Sequence, residues 1–325
     1  MSLMVNGELR GNWHEEEVEE GDFVRKDSVF RNWITPDGSA GPSGDGGFEA
    51  EPGRYHLYVS HACPWSHRTT IFRVLKKIED VVSMSVVHPY MSQKGWKFKD
   101  YPGATPDTAN GCHYLYEVYK LAQPYYTGIV QVPVLWDKHR KMIVNNESSE
   151  IIRMFNSAFE RYTDAHTDYY RDSLRESINE VNQLIYDTVN NGVYRCGFAT
   201  SQRAYEAAFD RLCATLDKLE ANLERQRYLI GPQLTEADWR LFPTLVRFDP
   251  VYYSHFKCNL RRIVDYPNLS NYMRDLYQHP GIAETVYFDQ IKHHYYTSHP
   301  AINPNGIVPK GPAMDLNASH DRDRF

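Results

Sequence analysis

Two residues, His61 and Ala62, separate the short apolar run Tyr55–Ser60 from Cys63-Pro64-Trp65-Ser66. Apolar residues then recur at helical spacing through Ile71, Phe72, Val74, Leu75 and Ile78. This junction constrains the chain more than any other feature, because a buried strand must pass almost directly into a helix whose first turn carries a thiol. Pro64 suits that first turn, where the N–H it lacks would have no partner anyway. A cysteine at such a place faces unsatisfied N–H groups and the positive end of the helix dipole, which favours the thiolate. The ordinary alternative for a single cysteine is a small buried apolar group, and that is the reading for Cys112, Cys196, Cys213 and Cys258.

The surrounding pattern extends the junction into a domain. Val81–Val87 reads as a second strand, Tyr114–Leu121 as a helix, and Val130–Trp136 and Met142–Val144 as strands flanking the hairpin-length loop Asp137–Lys141. Glu147–Phe159 completes the series as a helix. The order β-α-β-α-β-β-α is that of an α/β thioredoxin-like domain, a mixed sheet flanked by helices. It spans residues 51–160, with an insertion at about 89–126. Residues 1–50 read as an extended arm, in which Asp37–Gly47 is a turn-forming stretch.

From 161 to 298 helical spacing takes over. Ser173–Val189 carries Ile178, Val181, Leu184, Ile185 and Val189 on one face, and Gln202–Gln226 carries Leu212, Leu216, Leu219 and Leu223. Leu269–Gln278 reads as a further helix. Thr235-Glu236-Ala237-Asp238 is a variant capping box with Leu234 and Trp239 placed as its hydrophobic staple. This half reads as an all-α domain, and residues 299–325, with Pro300, Pro304, Pro309 and Pro312, as an irregular tail.

Composition excludes several classes. The formal charge of the 325 residues is 36 − 42 = −6, with 42% hydrophobic and 24% charged residues, ordinary for a soluble protein of about two domains. A strongly basic nucleic-acid binder and a disordered chain do not fit. No apolar run approaches the ~18 residues of a membrane helix. Glu15, Glu16, Glu17, Glu19 and Glu20 stand where a signal peptide would be basic and then apolar. The expectation is a cytoplasmic protein with neither a membrane nor a nucleic-acid partner. Five scattered cysteines without a C-x-x-C pair argue against a disulfide framework. His61, Cys63 and His67, and the pair His293–His294, lack the recognisable ligand set of a zinc site, so no metal is expected. Tyrosine is unusually common, 24 against 14 phenylalanines, and each buried phenol needs a hydrogen-bond partner.

Three features bear on chemistry. Ser66 stands where a redox dithiol would have its second cysteine, so the Cys63 thiol cannot close an internal disulfide. An external thiol must resolve any adduct, which points to glutathione. Val132-Pro133 suggests a cis peptide before a strand, with the backbone of Ile129–Val132 open to pair with a short peptide; an edge-strand proline is the plainer explanation. Glu147-Ser148 opens the next helix, where N–H groups and a hydroxyl can hold a carboxylate and Glu147 an ammonium. Those are the two charges of an α-amino acid, although simple helix capping explains the same residues.

Longer stretches carry a resemblance: Arg31-Asn32-Trp33, Tyr55–Ser60, Cys63-Pro64-Trp65-Ser66-His67-Arg68, Val132-Pro133-Val134-Leu135-Trp136-Asp137, Asn146-Glu147-Ser148, Asn190-Asn191-Gly192-Val193-Tyr194 and Arg247-Phe248-Asp249. Over almost its whole length the chain resembles the glutathionyl-hydroquinone reductases, the xi-class glutathione transferases. The resemblance implies the glutathione transferase architecture and glutathione-dependent reduction of glutathionyl-hydroquinones by a homodimer. It further implies that Cys63 is the nucleophile and that Trp96 covers the glutathione. Ile129, Val130, Gln131 and Val132, with Glu147 and Ser148, would bind it. Tyr194 would donate the proton, with Tyr252 and Tyr295 near the thiol. A phenol of ordinary pKa about 10 can donate a proton without competing as a nucleophile. The chain departs from the family at Ile129, where related bacterial sequences commonly carry a basic residue, which leaves backbone contacts there. It departs again at Ser66, where alanine is frequent. An omega-like thiol transferase or dehydroascorbate reductase would share Cys63 without needing the tyrosines. A non-catalytic glutathione- or quinone-binding protein would need neither.

Cys63→Ser is expected to keep its fold and lose essentially all reductase turnover, because a serine alcohol is not ionised at neutral pH. Turnover retained by the serine variant would show that the nucleophile lies elsewhere.

Overall fold

In the computed structural model, which describes residues 2–10 and 18–325, Tyr55–Val59 is a strand buried at every position. Of the acidic run, Glu15–Glu17 lie outside the described residues. The strands in chain order are β1 (Ser2–Val5), β2 (Glu8–Arg10), β3 (Val18–Glu19), β4 (Asp22–Phe23), β5 (Tyr55–Val59), β6 (Ser83–Val86), β7 (Gly128–Val130), β8 (Val134–Asp137) and β9 (Met142–Asn145). The helices are α1 (Pro64–Leu75), α2 (Leu115–Ala122), α3 (Ser148–Ser157), α4 (Arg175–Ile185), α5 (Gly192–Phe198), α6 (Gln202–Leu223), α7 (Glu236–Arg247), α8 (Pro267–Gln278) and α9 (Phe288–Ser298). They fall into two units. The first holds the described part of Met1–Glu16 with Lys26–Thr167 and Tyr287–His294. The second holds the described part of Glu17–Arg25 with Asp168–Val286 and Tyr295–Phe325.

The first unit is built on a four-stranded mixed sheet in the order β6-β5-β8-β9. β5 runs parallel to β6, with His56 opposite Ser83, and antiparallel to β8, with Leu57 opposite Leu135. The parallel pair requires a crossover, and α1 supplies it. A buried ion pair fastens the start of β5 to the end of its neighbour β8: the Arg54 guanidinium donates to Asp137 Oδ2 at 2.6 Å.

Val130–Trp136, expected as one strand, is two. Pro133 has no N–H to give a ladder, so β7 stops at Val130 and β8 starts at Val134. The Val132–Pro133 peptide is cis. β7 belongs to a different sheet, ordered β2-β1-β7, in which Leu3 lies opposite Ile129. Part of the segment expected as an extended arm therefore supplies paired strands. Farther along it, Asn32 N–H donates to the Val144 carbonyl at 3.0 Å, and the Arg31 guanidinium holds the Glu150 carboxylate through Nε at 2.8 Å and through Nη2.

The second unit is helical apart from the small β3–β4 ladder. The leucine stripe of α6 (Leu212, Leu216, Leu219, Leu223) is buried along its length. Ser173–Val189, expected as one helix, is α4 followed by a π-segment, Tyr186–Asn190. A second π-segment, Phe248–Tyr252, follows α7. Both bonds of the capping box between Thr235 and Asp238 form. Asp238 also accepts from Leu229 N–H at 2.9 Å and from the Tyr272 hydroxyl at 2.8 Å. The irregular tail is anchored by Arg322, fully buried, which donates to the carbonyls of Leu223 at 2.8 Å and Arg227 at 2.9 Å. Among the described residues no helix is long and apolar enough to cross a membrane.

Asp238→Ala would strand the Leu229 and Thr235 amides and the Tyr272 hydroxyl in the core. At about 1–3 kcal/mol for each buried orphan, the expected loss is about 3 kcal/mol or more, read from the urea midpoint. A loss below about 1 kcal/mol would mean that the freed donors find other partners.

Candidate active site

α1 begins where the strand pattern requires. Cys63 is its N-cap, in extended conformation, with Pro64 in the first turn. The Cys63 N–H donates to the Ser60 carbonyl at 3.1 Å, and the thiol makes no capping bond of its own. The half-buried Sγ lies 3.7 Å from the carbonyl oxygen of Val132, so the nucleophile candidate and the residue before the cis-proline are brought together. Ser66 is buried and accepts from Ser60 N–H at 3.3 Å, a bond that closes the turn between β5 and α1. Arg68 is buried too. Its guanidinium lies 4.5 Å from the Trp65 ring, and Nη1 donates to the Ser148 hydroxyl at 3.3 Å, coupling the first turns of α1 and α3.

Glu147 is the N-cap of α3. Its carboxylate accepts from the Ser149 amide at 3.0 Å, the Ser149 hydroxyl at 2.9 Å and the Ser28 hydroxyl at 3.1 Å. The capping explanation therefore holds for Glu147, with a second oxygen engaged by the arm. Ser28 in turn accepts from Gln131 Nε2 at 2.9 Å. Beside Ser28 and Gln131 lies a cavity of about 290 Å³ lined also by Lys26, Ile129 and Asn146, among others; neither Glu147 nor Cys63 lines it.

The backbone of Ile129–Val132 is less open than expected. β1 occupies one edge of β7, where Ser2 pairs with Val130 and Leu3 with Ile129. The Tyr126 hydroxyl donates to the Ile129 carbonyl at 3.0 Å. Both main-chain groups of Gln131 are taken by one phenol: Tyr119 donates to its carbonyl at 2.8 Å and accepts from its N–H at 3.3 Å. That narrows the stretch available to an added peptide to the other edge of β7 and to Val132. The reason is tertiary, since β1 and two phenols reach the segment from elsewhere in the chain.

Tyr119 is a residue that sequence reasoning missed. Besides Gln131 it accepts from Asn146 Nδ2 at 3.1 Å, so one buried hydroxyl ties the segment before Pro133 to the segment before Glu147. Its position on the buried face of α2 signalled packing and nothing more. Trp96 is buried in the same apolar cluster as Val132, stacked on His294 at 4.8 Å. Its Nε1 has no hydrogen-bond partner among the described residues. Gly95 beside it has φ +79°, and a Cβ there would sit 2.5 Å from the Ser2 hydroxyl, so β1 can approach only a glycine.

In the second unit the three nominated tyrosines form one chain of hydroxyls. Tyr295 is the centre, 2.5 Å from the Tyr194 hydroxyl and 2.9 Å from that of Tyr252. Tyr252 and Tyr295 are 0% and 1% exposed, Tyr194 9%, so Tyr194 is the member best able to meet a ligand. Burial pushes the phenols of Tyr252 and Tyr295 well above their ordinary value, which keeps both protonated at neutral pH. α5 holds Tyr194 in place through Gly197, where an added Cβ would lie 2.3 Å from the ring of Phe256. Phe256 in turn stacks on Tyr252 at 5.5 Å. Arg25 covers the Tyr194 ring at 5.1 Å and donates to the Asn191 side chain at 2.9 Å.

Residues 62–158 match the model of the glutathione S-transferase N-terminal domain, and residues 202–275 that of the C-terminal domain. The chain is 55% identical to the glutathionyl-hydroquinone reductase YqjG of Escherichia coli (strain K12), over 99% of each chain. It is 51% identical to the glutathionyl-hydroquinone reductase PcpF of Sphingobium chlorophenolicum, over 97% of this chain and 98% of that one. Among solved structures, glutathione-bound YqjG from Escherichia coli K-12 aligns with a TM-score of 0.92 at 54% identity, covering 99% of this chain and 100% of the other. The xi-class glutathione transferase of Natrialba magadii aligns with a TM-score of 0.93 at 47% identity, covering 100% and 98%.

Tyr119→Phe removes one oxygen and leaves the Gln131 amide and Asn146 Nδ2 without their acceptor. The expected destabilisation is about 1–3 kcal/mol, measured as a shift of the urea midpoint at unchanged slope. No measurable shift would mean that water serves both donors.

Proposed function

We infer the reaction from kinship: this chain belongs to the glutathione S-transferase family, and within it to the xi class. It is an oxidoreductase that reduces glutathionyl-hydroquinones to hydroquinones with glutathione as co-substrate. The observation that carries this reading is end-to-end similarity, above 50%, to two proteins named for that reaction. The architecture agrees with it, a thioredoxin-like half followed by a helical half.

In the proposed mechanism the Cys63 thiolate attacks the glutathione sulfur of the substrate. The sulfur–carbon bond breaks, its electron pair passes to the ring carbon, and Tyr194 delivers the proton that this carbon needs. The products are the hydroquinone, a Cys63–glutathione mixed disulfide and a phenolate at Tyr194. A second glutathione gives its thiol proton back to Tyr194 and attacks the mixed disulfide as a thiolate. Glutathione disulfide leaves and the Cys63 thiolate is restored. Three things support these roles: the start of α1 under the thiol, the serine at position 66 that keeps the site monothiol, and the linked hydroxyls of Tyr194, Tyr295 and Tyr252. Val132, Glu147 and Ser148 are proposed to bind glutathione, with contributions from Trp96 and from the backbone of Ile129, Val130 and Gln131. The same reading has the enzyme as a cytoplasmic homodimer that uses no metal. Turnover of a glutathionyl-hydroquinone compared with that of a simple glutathione mixed disulfide tests it; a protein that reduces only the mixed disulfide is an omega-like thiol transferase instead.

Tyr194→Phe removes one hydroxyl and almost no volume. General acid catalysis contributes about 10² to 10⁴, so hydroquinone release should slow by that order. A mixed disulfide expels a thiolate that needs no such help, and its reduction should suffer far less. Equal losses on both substrates would point to damaged glutathione binding and remove Tyr194 from the proton-donor role.

A further inference from the structure

The segment Arg247-Phe248-Asp249 has no part in the reaction as written above. Asp249 is used locally: its carboxylate accepts from the amides of Ile263 at 2.6 Å and Val264 at 3.2 Å. Phe248 packs edge-on against Tyr252, with centroids 6.4 Å apart. Arg247 is different. It is the last residue of α7 and the N-cap of the π-segment Phe248–Tyr252, and its side chain is fully buried. Nη1 donates to the Pro243 carbonyl at 3.0 Å, a bond that a neutral amide could also make. A guanidinium does not lose its proton in a protein, so a full positive charge is carried into the core, where removing it from water is costly.

The position of that charge is informative. A π-turn closes between residues five apart, which sets Arg247 one turn from Tyr252 on a single segment. Tyr252 is the inner end of the hydroxyl chain that runs through Tyr295 to Tyr194, at 2.9 and 2.5 Å. We propose that Arg247 is a positioning residue for proton donation, its buried charge steadying the negative charge left on the linked phenols when Tyr194 gives up its proton. The inference rests on the proposed role of Tyr194.

The electrostatics run in the required direction. Burial raises the phenols of Tyr252 and Tyr295, and Tyr194 adds to this at both; the charge of Arg247 opposes it at both, joined at Tyr252 by the hydrogen bond with Tyr295. Among the described residues, charged or titratable groups near the chain include Asp249 on the same π-segment, Arg25 over the Tyr194 ring, Tyr296 beside His255, and the imidazoles of His255 and His299, 3.2 Å apart. Burial lowers His255 to about 4, so at neutral pH it carries no charge that could replace that of Arg247. The balance of the step is unchanged. The Tyr194 proton goes to the ring carbon, the O–H electron pair stays on Tyr194, and Tyr295 and Tyr252 share the charge by hydrogen bonding. Arg247 neither gains nor loses a proton.

The test uses the full chain with Arg247→Gln, Arg247→Met and Arg247→Lys. Each variant is assayed for glutathionyl-hydroquinone reduction, for mixed-disulfide reduction and for the solvent deuterium isotope effect on a single turnover of hydroquinone release. The neutral variants should slow hydroquinone release about tenfold or more, the effect of about one unit of phenol acidity, and should raise the isotope effect. Mixed-disulfide reduction should stay within about twofold, and lysine should restore most of the lost rate. Equal loss of both activities in a folded neutral variant, full hydroquinone rate in such a variant, or lysine no better than glutamine would each overturn the proposal. If the neutral variants do not fold, Arg247→Lys decides alone: it must keep more than about a third of the hydroquinone rate, and a loss as deep as that of Tyr194→Phe overturns the proposal. An unaffected Tyr194→Phe would remove the proton-donor reading itself. A slow Tyr194→Phe beside an unaffected Arg247→Gln would remove only the role of Arg247.

Discussion

One missing backbone N–H, that of Pro133, organises the first unit. Without it the apolar run from Val130 to Trp136 cannot continue as a ladder, and its two halves join different sheets. β8 enters the central sheet beside β5, whereas β7 pairs with the N-terminal strand β1. The residues between them, Gln131 and Val132, are left outside both ladders. One is fastened by the Tyr119 hydroxyl, and the other presents its carbonyl to the Cys63 sulfur. The thiol at the head of α1 thus meets backbone that is ordered without being committed to a sheet.

In the same unit, hydrogen bonds among polar side chains hold together the segments before Pro133 and before Glu147. Tyr119, Asn146, Ser28 and Gln131 are each bonded to one another or to the chain ends around Glu147. Arg68 fixes the Ser148 hydroxyl from below, its charge laid against the face of Trp65. A network with its members satisfied resists rearrangement, because every lost bond leaves a buried donor or acceptor unpaired. In the second unit the hydroxyls of Tyr194, Tyr295 and Tyr252 are linked in the same way, with Gly197 allowing the Phe256 ring to lie close to α5.

The legible part of the fold was the part governed by periodicity. The apolar strand before Cys63, the helix after it and the leucine stripe of α6 follow from spacing alone and all form, although α1 ends at Leu75 and leaves Ile78 beyond it. The Thr235–Asp238 box was legible for a similar reason, since both of its bonds are local. What spacing could not reach were short or irregular pieces. β1 has four residues, and besides its local partner β2 it pairs with β7, more than 120 positions away. α5 has seven residues, too few for a stripe, and the π-segments after α4 and α7 look like continued helix in a one-dimensional pattern.

The candidate site divides along the same line. Cys63, Ser66, Val132-Pro133 and Glu147-Ser148 declare themselves because helix starts, a monothiol motif and a proline before a strand are local chemistry. The sequence by itself determined that a thiol sits at the head of a helix and that the chain is rich in phenols. Only the tertiary structure decided which phenols act together, and that Tyr295 stands between Tyr194 and Tyr252. Only it decided that Tyr119 and β1 close most of the backbone that looked open. The physical reason is range. Capping and helical dipoles act within a turn, whereas a hydroxyl a few ångströms from its partner can lie a hundred residues from it along the chain.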